Sequence, residues 1–190
     1  MKLVNPLALA GRKPRGGKTS AAAGGIGDLE EFQASLAPLK DGLYGFILKS
    51  LGFAEEAADV YQETLLRAFK YRHGFRRGRS FKSWLFTIAD NEVKRYFKKA
   101  GRSVSLDRET VARMMPGAPP DQAERVREIF AAAATLTQRQ KRIFFLFYES
   151  GFPIREIAEI TGLTANNVKV TLNQCRNRIR EHMGENDAIS

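Results

Sequence analysis

The sequence contains few of the residues that build disulfides and metal sites. Of 190 residues, one is cysteine and two are histidine, which excludes an intramolecular disulfide and leaves no cluster at metal-ligand spacing. No apolar run approaches the roughly 20 residues that a bilayer-spanning helix needs. We therefore expect a soluble protein of a reducing compartment, the cytoplasm, without membrane insertion.

Candidates for catalysis are equally scarce. Cys175 falls on an apolar helical stripe, and His73 and His182 lie in a loop and at a helix end, so no nucleophile is paired with a base. The segment GRKPRGGKTS approaches a phosphate-binding loop, but Arg12 stands where that motif requires glycine. A signal peptide is not expected either, because Pro6 interrupts the short apolar stretch. The sequence predicts no enzymatic activity, no cofactor and no metal.

Positive charge, in contrast, is abundant and unevenly distributed. The formal net charge is +10. Residues 71–102 carry ten lysines and arginines against two acids, and residues 136–183 carry eight against four, whereas residues 28–70 carry four against eight. Two separate basic blocks indicate a polyanion that is contacted at two places.

Composition and periodicity divide the chain into two parts. Residues 1–27 have no acid and are rich in glycine and alanine, so a disordered basic tail is expected. Helical periodicity covers residues 28–101 and 123–183, while the proline- and glycine-rich segment 102–122 is predicted to be a flexible linker. Residues 184–190 form an acidic tail. The expected fold class is all-α, with two small helical domains joined by the linker.

The second domain ends in a predicted helix-turn-helix. Gly162 can end one helix in a left-handed conformation, and Thr164 can cap the next. The inward positions of that next helix are Val168, Leu172, Cys175 and Ile179. Its outward positions are Asn166, Asn167, Lys169, Thr171, Asn173, Gln174, Arg176, Asn177, Arg178 and Arg180. Amides and cations without carboxylates are typical of a DNA-facing surface, although a helical hairpin with a solvated basic face is the alternative.

A charged row is predicted on one helix of the first domain. It runs between Glu55 and Tyr71 and lies apart from the apolar side of that helix. Its members are Glu56, Asp59, Gln62, Glu63 and Arg67. The row is either a solvated surface or a contact for a basic protein partner.

The helix from Ser80 to about Lys99 has a basic face. Its predicted buried stripe is Phe81, Trp84, Leu85, Ile88, Ala89, Val93 and Tyr96, and its opposite face carries Thr87, Asn91, Lys94 and Lys98, flanked by Arg95, Lys99 and Arg102. Cations and amides of this kind suit phosphates and unpaired bases. Core packing is the simpler explanation for Phe81 and Trp84.

Together these motifs resemble those of bacterial sigma factors of the extracytoplasmic-function (ECF) group, in the sigma-70 family. ADVYQETLLRAF, residues 58–69, is similar to the region that docks on the clamp helices of RNA polymerase, which implies core contacts by Asp59, Gln62, Glu63 and Arg67. SFKSWLFTIADNEVKRYFKK, residues 80–99, resembles the promoter-melting region. That resemblance implies minus 10 contacts by Phe81, Lys82, Trp84, Asn91, Lys94, Arg95 and Lys98.

Residues 136–163 resemble the start of the family's fourth region, whose last helix reads the minus 35 element. The implied minus 35 contacts are Arg155, Thr164, Asn166, Asn167, Lys169, Val170, Asn173, Gln174 and Arg178. Residues 28–101 and 123–183 then correspond to sigma regions 2 and 4. Asn166 and Asn167 depart from the Gly-Thr common in the family, so the preferred minus 35 sequence is not carried over.

The resemblance implies a sigma factor that directs core polymerase to promoters and helps melt the minus 10 element. Its expected partners are the core enzyme, promoter DNA and a cognate anti-sigma factor. Two alternatives stay open, a stand-alone helix-turn-helix regulator and a sigma-like partner-switching protein. A dimer with a palindromic footprint would favour the regulator.

Overall fold

The computed structural model describes residues 25–76, 78–101, 132–182 and 184. Their secondary structure is helical, with turns and bends between the helices and no strand within these ranges. The all-α prediction is confirmed. The predicted linker, most of the basic tail and most of the acidic tail lie outside the described residues.

Residues 29–100 form the helices of the first domain, and polar caps explain their boundaries. The helices are α1 (Leu29–Leu36), α2 (Lys40–Leu51), α3 (Ala54–Tyr71) and α4 (Phe81–Ala100), with short 3-10 turns at Ala37–Leu39 and Arg72–Gly74. Asp28 begins α1 by accepting the N–H of Glu31 at 2.6 Å, and Ser80 begins α4 by accepting the N–H of Ser83 at 3.2 Å. Gly52 ends α2 with a left-handed φ of 91°.

The second domain contains α5 (Gln138–Tyr148), α6 (Ile154–Thr161) and α7 (Ala165–His182). Thr137 and Gln140 form a capping box at the start of α5. Gly162, at a φ of 75°, ends α6, and the Thr164 hydroxyl accepts the N–H of Asn167 at 3.2 Å. These two residues make the tight turn of a helix-turn-helix, as predicted. Pro153 is the N-cap residue of α6.

The two domains pack directly against each other. α2 lies on α5, and α4 lies on α6. Phe86 of α4 and Phe152 of the second domain, both buried, meet with ring centroids 5.0 Å apart. The apolar core therefore continues from one domain into the other through this aromatic pair.

None of the helices in the described ranges combines the length and apolar character needed to cross a bilayer.

Candidate nucleic-acid interface

The exposed face of the helix-turn-helix holds the predicted minus 35 residues. Val168, Leu172, Cys175 and Ile179 are buried, as the helical spacing predicts. The candidate side chains all lie exposed on α6, on α7 or in the turn between them: Arg155, Thr164, Asn166, Asn167, Lys169, Val170, Asn173, Gln174 and Arg178. This surface offers amides that can pair with adenine edges and cations that can neutralise phosphates.

The prediction that Thr171 faces outward on α7 is wrong. Thr171 is buried, and its hydroxyl donates to the carbonyl of Asn167 at 2.7 Å. It is adjacent to Leu172 at the edge of the inward stripe, and a threonine can satisfy its hydroxyl on the preceding turn without reaching solvent.

The aromatic residues of α4 form a half-buried cluster within the first domain. Phe81 lies at the centre, with ring centroids 5.6 Å from Phe75 and 5.5 Å from Trp84. Phe32 of α1 completes the group at 6.0 Å from Phe81. Packing therefore accounts for most of the surface of Phe81 and Trp84, while Trp84 also borders a cleft.

The amide-and-cation face of α4 is covered, contrary to the expectation of an open surface. Asn91 is only 7% exposed, and its Nδ2 has no acceptor within the described part of the chain. A buried donor without a partner costs about 1–3 kcal/mol. Lys94 donates to the carbonyl of Thr161, the last residue of α6, at 3.1 Å.

The other predicted minus 10 cations differ in their surroundings. Lys82 donates to the carbonyl of Ser150 at 2.5 Å, and its ammonium lies 4.6 Å from the ring centroid of Phe152. Arg95 pairs with Glu92 on its own helix, and Lys98 is exposed. Lys82 and Lys94 are therefore both engaged by the second domain.

A buried carboxylate joins the domains at the centre of this face. Asp90 is fully buried. Its Oδ2 lies 2.5 Å from Nζ of Lys94, and its Oδ1 lies 2.7 Å from Nε of Arg142 on α5. A buried charge must be paired to be tolerated, so the second domain supplies one of the two cations that compensate Asp90. Neither Asp90 nor Arg142 was among the sequence candidates.

A second ion pair lies at the contact between α2 and α5. Nζ of Lys49 is 2.5 Å from the carboxylate of Glu149. The same carboxylate oxygen lies 2.9 Å from the point that a Cβ would occupy on Gly45. The absence of a side chain at Gly45 therefore lets Glu149 reach across to α2.

The charged row of α3 is accessible but partly self-paired. Asp59 and Gln62 are exposed. Glu63 and Arg67 form an ion pair at 2.6 Å, and Arg67 also lies 3.0 Å from Glu92 of α4. Burial raises the pKa of Glu92, against the opposing attraction of Arg95 and Arg67.

Leu66 lies on this same surface but was not among the residues predicted from the sequence. It is 65% exposed and lies one helical turn from Gln62 and Glu63. A single exposed leucine is common on protein surfaces, and Leu66 is of interest here because it lies within the predicted core-binding row. Its position outside the apolar stripe of α3 was the available sequence signal.

A cleft of about 390 Å³ lies between the domains. Trp84 and Thr87 of α4 form part of one wall, and Glu156 and Glu159 of α6 form part of the other. Ser83 hydrogen-bonds to Glu156 beside it. The predicted minus 10 aromatic residue Trp84 thus borders the space between the two domains.

Two ionisable groups of the second domain are perturbed by burial. Burial lowers the pKa of Lys141 to about 8 and raises the pKa of the Cys175 thiol to about 11. A thiol with a raised pKa is a poor nucleophile at neutral pH. This agrees with the structural role predicted for Cys175.

The geometry defines a helical protein with one exposed helix-turn-helix surface and a second basic face in another domain. Two family models match the chain in the same order. The model described as Sigma-70 region 2 matches residues 37–103, and the model described as Sigma-70, region 4 matches residues 126–179.

Proteins that are similar to this chain in sequence are also sigma factors. The ECF RNA polymerase sigma factor EcfG of Rhodopseudomonas palustris is 32% identical over 138 residues, which cover 72% of this chain and 76% of that protein. The ECF RNA polymerase sigma factor SigX of Bacillus subtilis is 27% identical over 163 residues, covering 81% and 84%. The chain therefore belongs to the sigma-70 family of RNA polymerase sigma factors, in its extracytoplasmic-function group.

Solved structures share the fold. The sigma factor RpoE of Bartonella quintana, in complex with the anti-sigma factor NepR, superposes with a TM-score of 0.69 at 23% identity, covering 84% of this chain and all of that chain. CnrH, in complex with the cytosolic domain of CnrY, gives a TM-score of 0.63 at 20% identity, covering 85% and 92%.

Proposed function

We propose that this sigma factor uses three separate surfaces during initiation. The α3 surface, made of Asp59, Gln62, Glu63 and Arg67 with Leu66 added, docks on core polymerase. The α4 face, made of Phe81, Lys82, Trp84, Asn91, Lys94, Arg95 and Lys98, holds the unpaired minus 10 strand. The α7 surface, with Arg155 of α6, reads the minus 35 duplex.

The observation that carries this proposal is the difference in charge between the α3 surface and the two DNA surfaces. Acidic and apolar side chains are exposed together on α3, whereas amides and cations line α4 and α7. A carboxylate row repels DNA and attracts a basic protein surface. The different charge character of these surfaces supports binding of core enzyme and promoter by different surfaces of one molecule.

The proposal extends to domain limits, partners and location. Residues 28–101 form the core-binding and minus 10 domain, and residues 123–183 form the minus 35 domain. An anti-sigma factor binds the chain, as NepR binds the Bartonella RpoE. The protein acts in the cytoplasm as a transcription initiation factor, and none of its side chains performs chemistry, because base capture needs only a fitted pocket and nearby cations.

Polymerase binding tests the α3 surface. The double variant Asp59→Ala/Glu63→Ala should weaken binding to purified core polymerase by about tenfold or more, since interface carboxylates affect both steering and affinity. Leu66→Ser should weaken it independently. Run-off transcription with a promoter library should fall in parallel, while far-UV circular dichroism stays unchanged.

The matched control is Glu30→Ala/Glu181→Ala, which removes two exposed carboxylates elsewhere. If both double variants bind core equally well, or if the native protein supports no core-dependent initiation on any promoter, the proposal is wrong.

A further inference from the structure

The second domain covers the α4 face by contacts along its length. The Ser83 hydroxyl, near the start of α4, donates to Glu156. Lys94, just over three turns later, donates to the carbonyl of Thr161 at 3.1 Å. Thr87 and Asn91 occupy the same side of the helix between them and are both buried. A single-stranded base could not reach Asn91 in this arrangement, because α6 occupies that side.

Lys94 has two partners that DNA would have to replace. One is the fully buried Asp90, and the other is the carbonyl end of α6, where unpaired carbonyls and the helix dipole favour a cation. Withdrawal of α6 would leave that second position open to a phosphate oxygen. Lys94 therefore binds α6 when the domains are closed and can bind a DNA phosphate when they are open.

Arg142 of the second domain stabilises the contact between the two domains. Its Nε lies 2.7 Å from Asp90, and its side chain is nearly buried. Lys49 and Glu149 make a separate ion pair at the α2–α5 contact, and the Phe86–Phe152 pair lies at an apolar contact between the domains. Opening this interface would break these ion pairs and expose Phe86 and Phe152, while the contacts within each domain stay formed.

The other two surfaces stay open in the closed arrangement. Asp59, Gln62 and Leu66 are exposed on α3, and the predicted minus 35 residues are exposed on α6, α7 and the turn between them. Closure therefore affects the minus 10 face alone, at Lys82, Asn91 and Lys94. A chain in this state can still meet polymerase and duplex DNA.

We infer that the free protein is self-inhibited by its second domain, which covers the minus 10 face of α4 through the Asp90–Arg142 ion pair. Opening exposes Asn91 and transfers Lys94 from α6 to the DNA backbone. This inference rests on the proposed role of α4, and it places opening after docking on core and before capture of the unpaired strand.

Arg142→Gln in the full-length chain tests the inference without polymerase. The readouts are the radius of gyration in small-angle X-ray scattering and the affinity for a fluorescent 20-nucleotide oligo(dT). Opening should raise the radius of gyration and tighten oligo(dT) binding about threefold or more, as the competent fraction grows. Removing a cation would by itself weaken binding, so the expected direction is opposite to the trivial electrostatic effect.

The matched control is Arg139→Gln, which removes an exposed cation from the same helix. Lys49→Gln tests the second ion pair, and its control is Lys40→Gln, which removes an exposed cation from the same helix. This variant replaces Arg142→Gln as the test if Arg142→Gln lowers helicity. Adding Lys94→Ala to the opened variants should abolish the gain in oligo(dT) affinity.

Unchanged compactness together with equal or weaker oligo(dT) binding in folded Arg142→Gln and Lys49→Gln would overturn the inference. These readouts are independent of core binding, so loss of the proposed α3 function would leave them unaffected.

Discussion

Replacing Lys141 by methionine should stabilise the protein. Lys141 lies on α5, is 2% exposed, and burial lowers the pKa of its ammonium group from 10.5 to about 8. A tenfold change in a protonation equilibrium corresponds to about 1.4 kcal/mol, so keeping this charge inside the folded protein at neutral pH costs about 3 kcal/mol. Methionine keeps the unbranched chain and the helix propensity. Because the interaction that the Lys141 side chain makes is lost as well, we expect a net gain of about 1–3 kcal/mol.

The gain should shrink as the pH rises. Below about pH 8, Lys141 is charged in both the folded and the unfolded protein, and the full penalty applies. Between about pH 8 and 10.5 the folded protein releases the proton while the unfolded chain keeps it. The unfolded state then binds more protons, so this group makes the native protein more stable as pH rises. Native protein and variant should therefore converge toward the upper end of this range.

Urea unfolding followed by circular dichroism at neutral pH and at about pH 10 measures both effects. Comparing the variant with the native protein cancels the titration of Tyr61 and Cys175. Arg139→Met, an exposed change on the same helix, should alter stability by no more than about 0.5 kcal/mol. A Lys141→Met variant that is less stable, or whose gain is the same at both pH values, would refute the reasoning.

Three further outcomes are expected. Iodoacetamide should alkylate Cys175 only as fast as the protein unfolds, because the side chain is fully buried and its thiol pKa is about 11; rapid labelling of folded protein would contradict this. Gly162→Ala should lower stability by about 1–2 kcal/mol in thermal unfolding, because alanine is strained at a φ of 75°, and an unchanged Tm would argue against it. Lys169→Ala should weaken minus 35 duplex binding by the holoenzyme and lower its salt slope by about 1 in anisotropy titrations; an unaltered slope would remove Lys169 from the interface.

The helices were predictable because their boundaries depend on local chemistry. Asp28, Ser80 and Thr137 each cap a helix through a bond to an N–H three residues ahead. Gly52 and Gly162 end helices in a conformation that glycine tolerates best. These signals lie within a few residues of one another, so the sequence alone contains them.

The α7 surface was predictable for a similar reason. Helical periodicity separates Val168 and Leu172 from Asn166 and Lys169, and burial follows that separation. The prediction for Thr171 was wrong because this residue lies at the edge of the inward stripe, where helical periodicity does not distinguish buried from exposed positions. The roles of the exposed residues in DNA binding stay predictions.

The covering of α4 was beyond sequence reasoning. Asp90 and Arg142 are 52 positions apart, and neither charge marks its partner by spacing or by residue type. Helical periodicity assigned Asn91 and Lys94 to a polar face without indicating which surface lies against it. Domain packing depends on the shapes of the two surfaces and on charge pairs between distant residues. Neither produces a periodic pattern in the sequence.

Gly45 shows how selection could adjust this protein without touching any DNA contact. A glycine within α2 weakens that helix by about 0.5–1 kcal/mol relative to alanine, yet an alanine methyl group there would crowd the Glu149 carboxylate, which must then shift from its position beside Lys49. Gly45→Ala should therefore make the first domain more stable and the closed arrangement less so. In a genetic screen for constitutive activity, we expect Gly45→Ala to be recovered as a well-folded variant.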